Sequence, residues 1–210
     1  MIYGNFGVPV SQTQALSLFV SSPLNSMRNR TDICWFPMYV SYSREMKVKE
    51  ALDSLAIDNF LPMHYEMVEH DGVRHRELVP AIHNLIFVRS SQERLTELKM
   101  TNKTCTLMQY MISKARTPQE QTEIITVPDA QMNNFMRVAS SLDDKVVFLE
   151  YTDFLDKEGK KVRIVDGNFA GVEGVIKRIK KNKIVVVLLK GVAAVAVTHI
   201  APHDLQLIED

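Results

Sequence analysis

The apolar positions of this chain run in three successive rhythms. From Ile33 to Ser41 aromatic and branched residues crowd together, as a β-strand prefers; Pro37 inside the run marks an edge strand or a bulge. Val48, Ala51, Leu52 and Leu55 then recur at helical spacing. Lys47, Lys49, Glu50 and Asp53 take the other faces, Ser43 is a candidate cap, and the helix should close near Asp58–Asn59. Asp71-Gly72, two residues that tolerate positive φ, predict a tight hairpin between arms near Tyr65–Glu69 and Val73–Leu78. Asn84–Arg89 reads as a central strand, and Ser91 caps a second helix through about Lys99. Further strand-like pieces lie at Leu107–Ile112 and Ile124–Val127. Asp129 is a candidate cap for a third helix with the stripe Met132, Phe135, Met136 and Ala139.

Beyond residue 140 the rhythm changes. Ser140–Gly159 is a connecting segment, too apolar at Val146, Val147, Phe148 and Leu149 for a Gly/Ser linker. Part of it should pack on the first domain as a strand, with the flexible part at Asp153–Gly159. The remaining 50 or so residues carry short β-branched runs at Lys161–Val165, Ile184–Leu189 and Val192–Thr198. Gly167, Gly171, Gly174 and Gly191 punctuate them, which is the pattern of a small β-barrel. Ile184, Val185, Val186, Val187, Val192, Val195 and Val197 are stiff at χ1 and favour strands, so the barrel should be stable rather than helical. The expected fold is α+β: an α/β sandwich with a mainly antiparallel sheet, then a small SH3-like β-barrel. The expected organisation is a polar extension over 1–30, a first domain over 31–142, a partly ordered linker over 143–159 and the barrel over 160–210. The extension reads as loosely ordered or as a small partner-binding arm.

Composition changes this picture little. The 210 residues hold 25 basic and 25 acidic side chains, so the whole-chain charge identifies no partner. The balance is nevertheless uneven, with 10 Lys and Arg against 6 Asp and Glu from Lys157 to Asp210, which points to two modules with different partners. Cys34 and Cys105 lack metal-type spacing and read as buried thiols of a reducing cytosol. Neither a secretory signal nor a membrane-length apolar run is visible, and the expected location is cytoplasmic. His70 and His75 flank the hairpin turn, but no Cys or carboxylate array accompanies the six histidines, so no metal is expected. A Ser nucleophile elbow, a Walker loop and a dinucleotide fingerprint are all missing, and the Gly-x-x-x-Gly-x-x-Gly of Gly167, Gly171 and Gly174 precedes no helix pattern. No catalytic residue or cofactor is expected.

Two motifs carry a likeness. Val162-Arg163-Ile164-Val165-Asp166-Gly167-Asn168-Phe169-Ala170-Gly171-Val172-Glu173-Gly174-Val175-Ile176 resembles the KOW motif of NusG and several ribosomal proteins. Asp166-Gly167 would turn the chain, Phe169 would fold back as a plug, and Gly171 and Gly174 would adopt φ values that a Cβ forbids. Trp35-Phe36-Pro37-Met38-Tyr39-Val40, Arg44-Glu45-Met46-Lys47-Val48 and Phe60-Leu61-Pro62 resemble the N-terminal (NGN) domain of the same NusG family. Both motifs stand in the family's order.

The resemblance implies a transcription elongation or antitermination factor that is not an enzyme. It would bind the clamp helices of RNA polymerase through an apolar surface of the first domain, act as a monomer, and touch no membrane. Trp35, Tyr39, Tyr42, Ile82, His83, Asn84 and Leu85 are the candidate polymerase contacts. Pro80-Ala81-Ile82-His83-Asn84-Leu85 departs from the family's Leu-Phe-Pro-Gly-Tyr turn, and this favours a specialised paralogue. The form His83-Asn84-Leu85-Ile86-Phe87-Val88 is similar to the UpxY antiterminators of capsular polysaccharide loci. The barrel would recruit a ribosomal protein, a termination factor or nascent RNA, with Lys177, Arg178, Lys180, Lys181 and Lys183 as candidate RNA contacts. A KOW-type RNA-binding protein of the translation machinery is the competing reading. An enzyme with an unrecognised site is the other rival.

Overall fold

The computed structural model describes residues 29–113, 122–149, 159–179 and 182–208, which fall almost entirely within one compact unit, Thr31–Asp210. Strand β1 (Cys34–Val40) is followed by α1 (Glu45–Ser54), β2 (Asn59–Phe60), the hairpin β3 (Met63–His70) and β4 (Val73–Pro80), and β5 (Leu85–Ser90). After α2 (Gln92–Thr101), β6 (Met108–Tyr110) and α3 (Asp129–Ala139) come β7 (Val146–Leu149), β8 (Lys161–Ile164), β9 (Glu173–Ile179), β10 (Asn182–Leu189), β11 (Ala193–Val197) and β12 (Leu205–Leu207). The fold is α+β, and the strand pairings among the described residues are antiparallel.

The first sheet has the order β2-β5-β1-β6. Alternation along β1 sends Phe36, Met38 and Val40 to one face, where they meet Val48 and Leu52 of α1 and Leu95 of α2. Trp35 belongs to the other face, with Leu85 and Phe87 of β5 and Phe135 of α3. The C-terminal sheet has the order β12-β8-β9-β10-β11-β7. Its inner face, with Val162, Ile164, Val185, Val187, Val195 and Val197, joins the same buried cluster as α3 and Trp35. The C-terminal sheet and the first sheet therefore share one core, with α3 between them.

Several local expectations need correction. β1 is central rather than an edge, since β5 and β6 flank it; Pro37 is tolerated because β6 pairs only Met38–Val40. Helix α1 stops at Ser54, where Leu55 turns its N–H back to Ala51 and Leu52 and Ala56 takes φ 52°. Arg44, not Ser43, occupies its cap position. Asp129 is the first residue of α3 rather than its cap, and its carboxylate accepts from Arg89 at 3.5 Å. Ser91 does cap α2, accepting from the Arg94 N–H at 3.2 Å. Leu107–Ile112 shortens to β6, preceded by a 3-10 turn, and Ile124–Val127 contributes only single bridges to Ile112 and Trp35. In the connecting segment, β7 forms as a strand, but its ladder partner is β11 of the C-terminal sheet. Residues 150–158, which include most of the expected flexible part, lie outside the described residues.

Cys34 and Cys105 are both buried. Burial pushes the Cys105 thiol up. Burial also raises the Tyr110 phenol; a Thr96 hydrogen bond opposes this and Cys34 adds to it. Both groups hold their protons to higher pH in the folded chain, so their contribution to stability is full below the ordinary thiol and phenol range and is lost as the pH rises through it. Burial lowers the Lys99 ammonium and works in the opposite sense over the same range. The check is therefore comparative: from about pH 8 to 11 the urea midpoint of a Cys105→Ala variant should lose less, relative to its own value at neutral pH, than that of the parent chain.

Candidate functional site

The candidate contacts divide by burial. Tyr39 lies near the end of β1, opposite Leu85 on one side and Gln109 on the other, and is 45% exposed. Past Val40 the chain makes a 3-10 corner, Ser41–Ser43, where Tyr42 adopts φ 66° and ψ 31° and is 80% exposed. Ser43 also has positive φ, at 49°. Two consecutive residues without glycine in the left-handed region are sparsely populated geometry, which persists only where surroundings enforce it. Met46, in the first turn of α1, is exposed beside them.

The enforcing contacts come from the turn between β4 and β5. Asn84 has φ 60°, a conformation its short amide side chain tolerates. Its carbonyl accepts from the Val40 N–H at 2.9 Å, and its side-chain oxygen accepts from the Ser43 N–H at 3.3 Å. The Asn84 N–H donates to Oε1 of Glu45, the first residue of α1, which is only 2% exposed. His83 is exposed beside Asn84, whereas Ile82 is half-buried and packs on the shared core. The structure thus brings Tyr39, Tyr42, His83 and Asn84 to one corner.

Trp35 and Leu85 depart from the expectation. Both are buried in the shared core, so neither presents a surface to a partner in this conformation. Alternation places them on the same face as Phe87, where α3 covers them. Sequence marks Glu45 only as part of the Arg44–Val48 motif. The available signal for its role was an acidic residue opening α1 directly after a polar corner.

Among the KOW-like residues, Gly167 and Gly171 have φ 76° and 88°, and Asp166 accepts from the Gly167 N–H at 2.7 Å. Phe169 is buried in the shared core. Gly174 differs from the expectation: its φ is not in the left-handed region, and what requires glycine is space. A Cβ there would lie 2.7 Å from the Val186 carbonyl oxygen and 2.8 Å from a Val185 methyl. Of the basic run, Lys177 is half-buried on β9; Lys180 and Lys181 lie outside the described residues, as do the side chains of Arg178 and Lys183. Nearby, Arg163 donates to Glu173 at 2.6 Å across β8 and β9.

His70 and His75 are not direct cross-strand partners. His70 faces Val73, His75 faces Val68, and the His70 ring lies 3.3 Å from Glu77. Among the described residues no group of three or more His, Cys, Asp and Glu is placed to hold a metal, and no helix is long and apolar enough to cross a membrane. A cleft of about 190 Å³ lies between β3–β4 and β7, where Arg76 stacks over Tyr65 at 4.2 Å and reaches Asp144 at 3.9 Å.

Residues 33–136 match the family model of NusG, described as transcription termination factor nusG. The matched span begins just before β1 and ends within α3, and it contains the Tyr39, Tyr42 and Asn84 corner. No curated protein matches the chain.

Proposed function

We propose that this chain is a transcription elongation or antitermination factor that binds RNA polymerase through the Tyr39–Tyr42 and His83–Asn84 corner. The NusG-family match over residues 33–136 supports this reading at the level of the family. Exposed tyrosines beside a half-buried apolar turn are what a protein-docking patch needs, because aromatic side chains supply large contact area at modest entropic cost. The partner surface is the clamp helices of the polymerase. Binding there while bridging to the opposite pincer favours the closed clamp, because a ligand stabilises the state it binds more tightly, and pausing and termination then fall. The departure of Ile82-His83-Asn84 from the usual family turn, in the His83–Val88 form resembling UpxY, supports action at polysaccharide operons. The factor acts in the cytoplasm, as a monomer and without catalysis, and its C-terminal region recruits a ribosomal protein, a termination factor or RNA.

The test is binding of the purified chain to core RNA polymerase. A Tyr39→Ala, Tyr42→Ala double variant should weaken binding by tenfold or more, at about 1–2 kcal/mol per lost anchor, and leave the urea midpoint unchanged. Ile82→Asp is a poorer probe, because Ile82 packs on the core and its loss would perturb folding. Wild-type affinity in the double variant would remove this corner from the interface. Absence of polymerase binding at micromolar concentration, with tight RNA binding retained, would favour the translation-side reading.

A further inference from the structure

We propose that Glu45 and Asn84 form a positioning clamp that joins two loops into one rigid docking epitope; the inference rests on the polymerase-binding reading above. A carboxylate that is 2% exposed is costly to bury unless it is used. Glu45 uses Oε1 to accept from the Asn84 N–H, a contact spanning 39 positions in sequence. Its place at the start of α1 adds the favourable field of the helix N-terminus. Asn84 in turn holds the Ser43 N–H through its side chain and the Val40 N–H through its carbonyl. One buried acid therefore holds the β4–β5 turn, and that turn holds the corner in which Tyr42 and Ser43 stay at positive φ.

Tyr42 is 80% exposed and has no ring partner among the described aromatic contacts, so nothing in its own packing accounts for its backbone geometry. The clamp accounts for it. Without Glu45 the turn carrying His83 and the corner carrying Tyr42 become independently mobile, and a partner must order them on binding. Glu45 and Asn84 act through the residues they hold and need not touch the partner.

The experiment compares full-length Glu45→Ala, Glu45→Gln, Asn84→Ala, Asn84→Gly and Tyr42→Ala chains, reading both core RNA polymerase affinity and amide hydrogen exchange at Tyr42 and Ser43. Glu45→Ala should weaken binding about tenfold and speed exchange at Tyr42 and Ser43. Glu45→Gln should restore both, since its amide oxygen accepts the same bond. Asn84→Gly keeps the positive φ and both backbone bonds and loses only the bond to Ser43, so its effect should be smaller than that of Asn84→Ala. If Glu45→Ala fails to fold, the Glu45→Gln and Asn84 pairs carry the test. Full affinity and unchanged exchange in the Ala variants, with binding lost in Tyr42→Ala, would overturn the clamp and leave the docking reading intact. Full affinity in Tyr42→Ala would instead remove the docking reading, and exchange alone would then decide whether the clamp exists.

Discussion

Phe135→Ala lowers the stability of the whole compact unit by about 3–5 kcal/mol, the range for truncating a fully buried phenylalanine. Phe135 is completely buried on α3 and meets Phe87 at 5.5 Å and Phe60 at 6.4 Å between ring centroids. The same cluster continues into Val185, Val187, Val195 and Val197 of the C-terminal sheet. The cavity therefore opens where two sheets meet, and neither can close it without moving the other. Urea unfolding followed by fluorescence of Trp35, the single tryptophan, reports the first sheet, while far-UV circular dichroism reports all strands. Both signals should move together to lower urea by the same amount. A shift in fluorescence alone, with the dichroism transition unmoved, would show that the C-terminal sheet is stabilised independently of α3.

Gly174→Ala is the second large effect. A methyl placed 2.7 Å from the Val186 carbonyl oxygen meets backbone on the neighbouring strand, so relief cannot come from a side-chain rotation. Strands β9 and β10 must separate beside the Val186–Val175 pair, the last of their ladder. The expected loss is about 1–3 kcal/mol, the usual cost of overpacking a well-packed interior. Gly167→Ala is the control: its Cβ would meet no atom within 4 Å, so its cost is the positive φ alone, about 1 kcal/mol. A Gly174→Ala chain no less stable than Gly167→Ala would show that β9 and β10 approach less closely than described.

Much of the fold was legible because it rests on local rules. Asp71-Gly72 forms the expected two-residue turn with φ 52° and 79°, and the stripe of Met132, Phe135 and Ala139 is buried on α3. Ser91 caps α2 because its hydroxyl is free to reach the Arg94 N–H. What sequence did not show depends on contacts distant along the chain. Pro37 argues for an edge, and only the short reach of β6 explains how a central strand accepts it. Trp35 and Leu85 have the composition of interface residues, and their burial follows from the packing of α3 and the second sheet, which no local pattern encodes. Sequence names Tyr39, Tyr42, His83 and Asn84, which fold to one corner, but gives no sign of the Glu45–Asn84 hydrogen bond. A glutamate opening a helix reads as a dipole partner, and its hydrogen bond to Asn84 exists only once the chain has folded.

The strand β7 has a practical consequence for cutting the gene. Its residues Val146 to Leu149 hydrogen-bond along β11, and the Lys145 carbonyl also accepts from the Thr198 N–H at 2.8 Å. Val146 and Phe148 lie against the shared core, and Leu149 covers a second apolar cluster of Ile184, Val186, Ala194 and Ala196. A fragment beginning at Lys160 would lose that strand and leave β11 as a bare, almost wholly apolar margin. Such a margin recruits the margin of a neighbouring molecule, so the truncated piece would tend to self-associate and precipitate. A C-terminal fragment should therefore start before Asp129, carrying β7 to seal the sheet and α3 to cover its inner face.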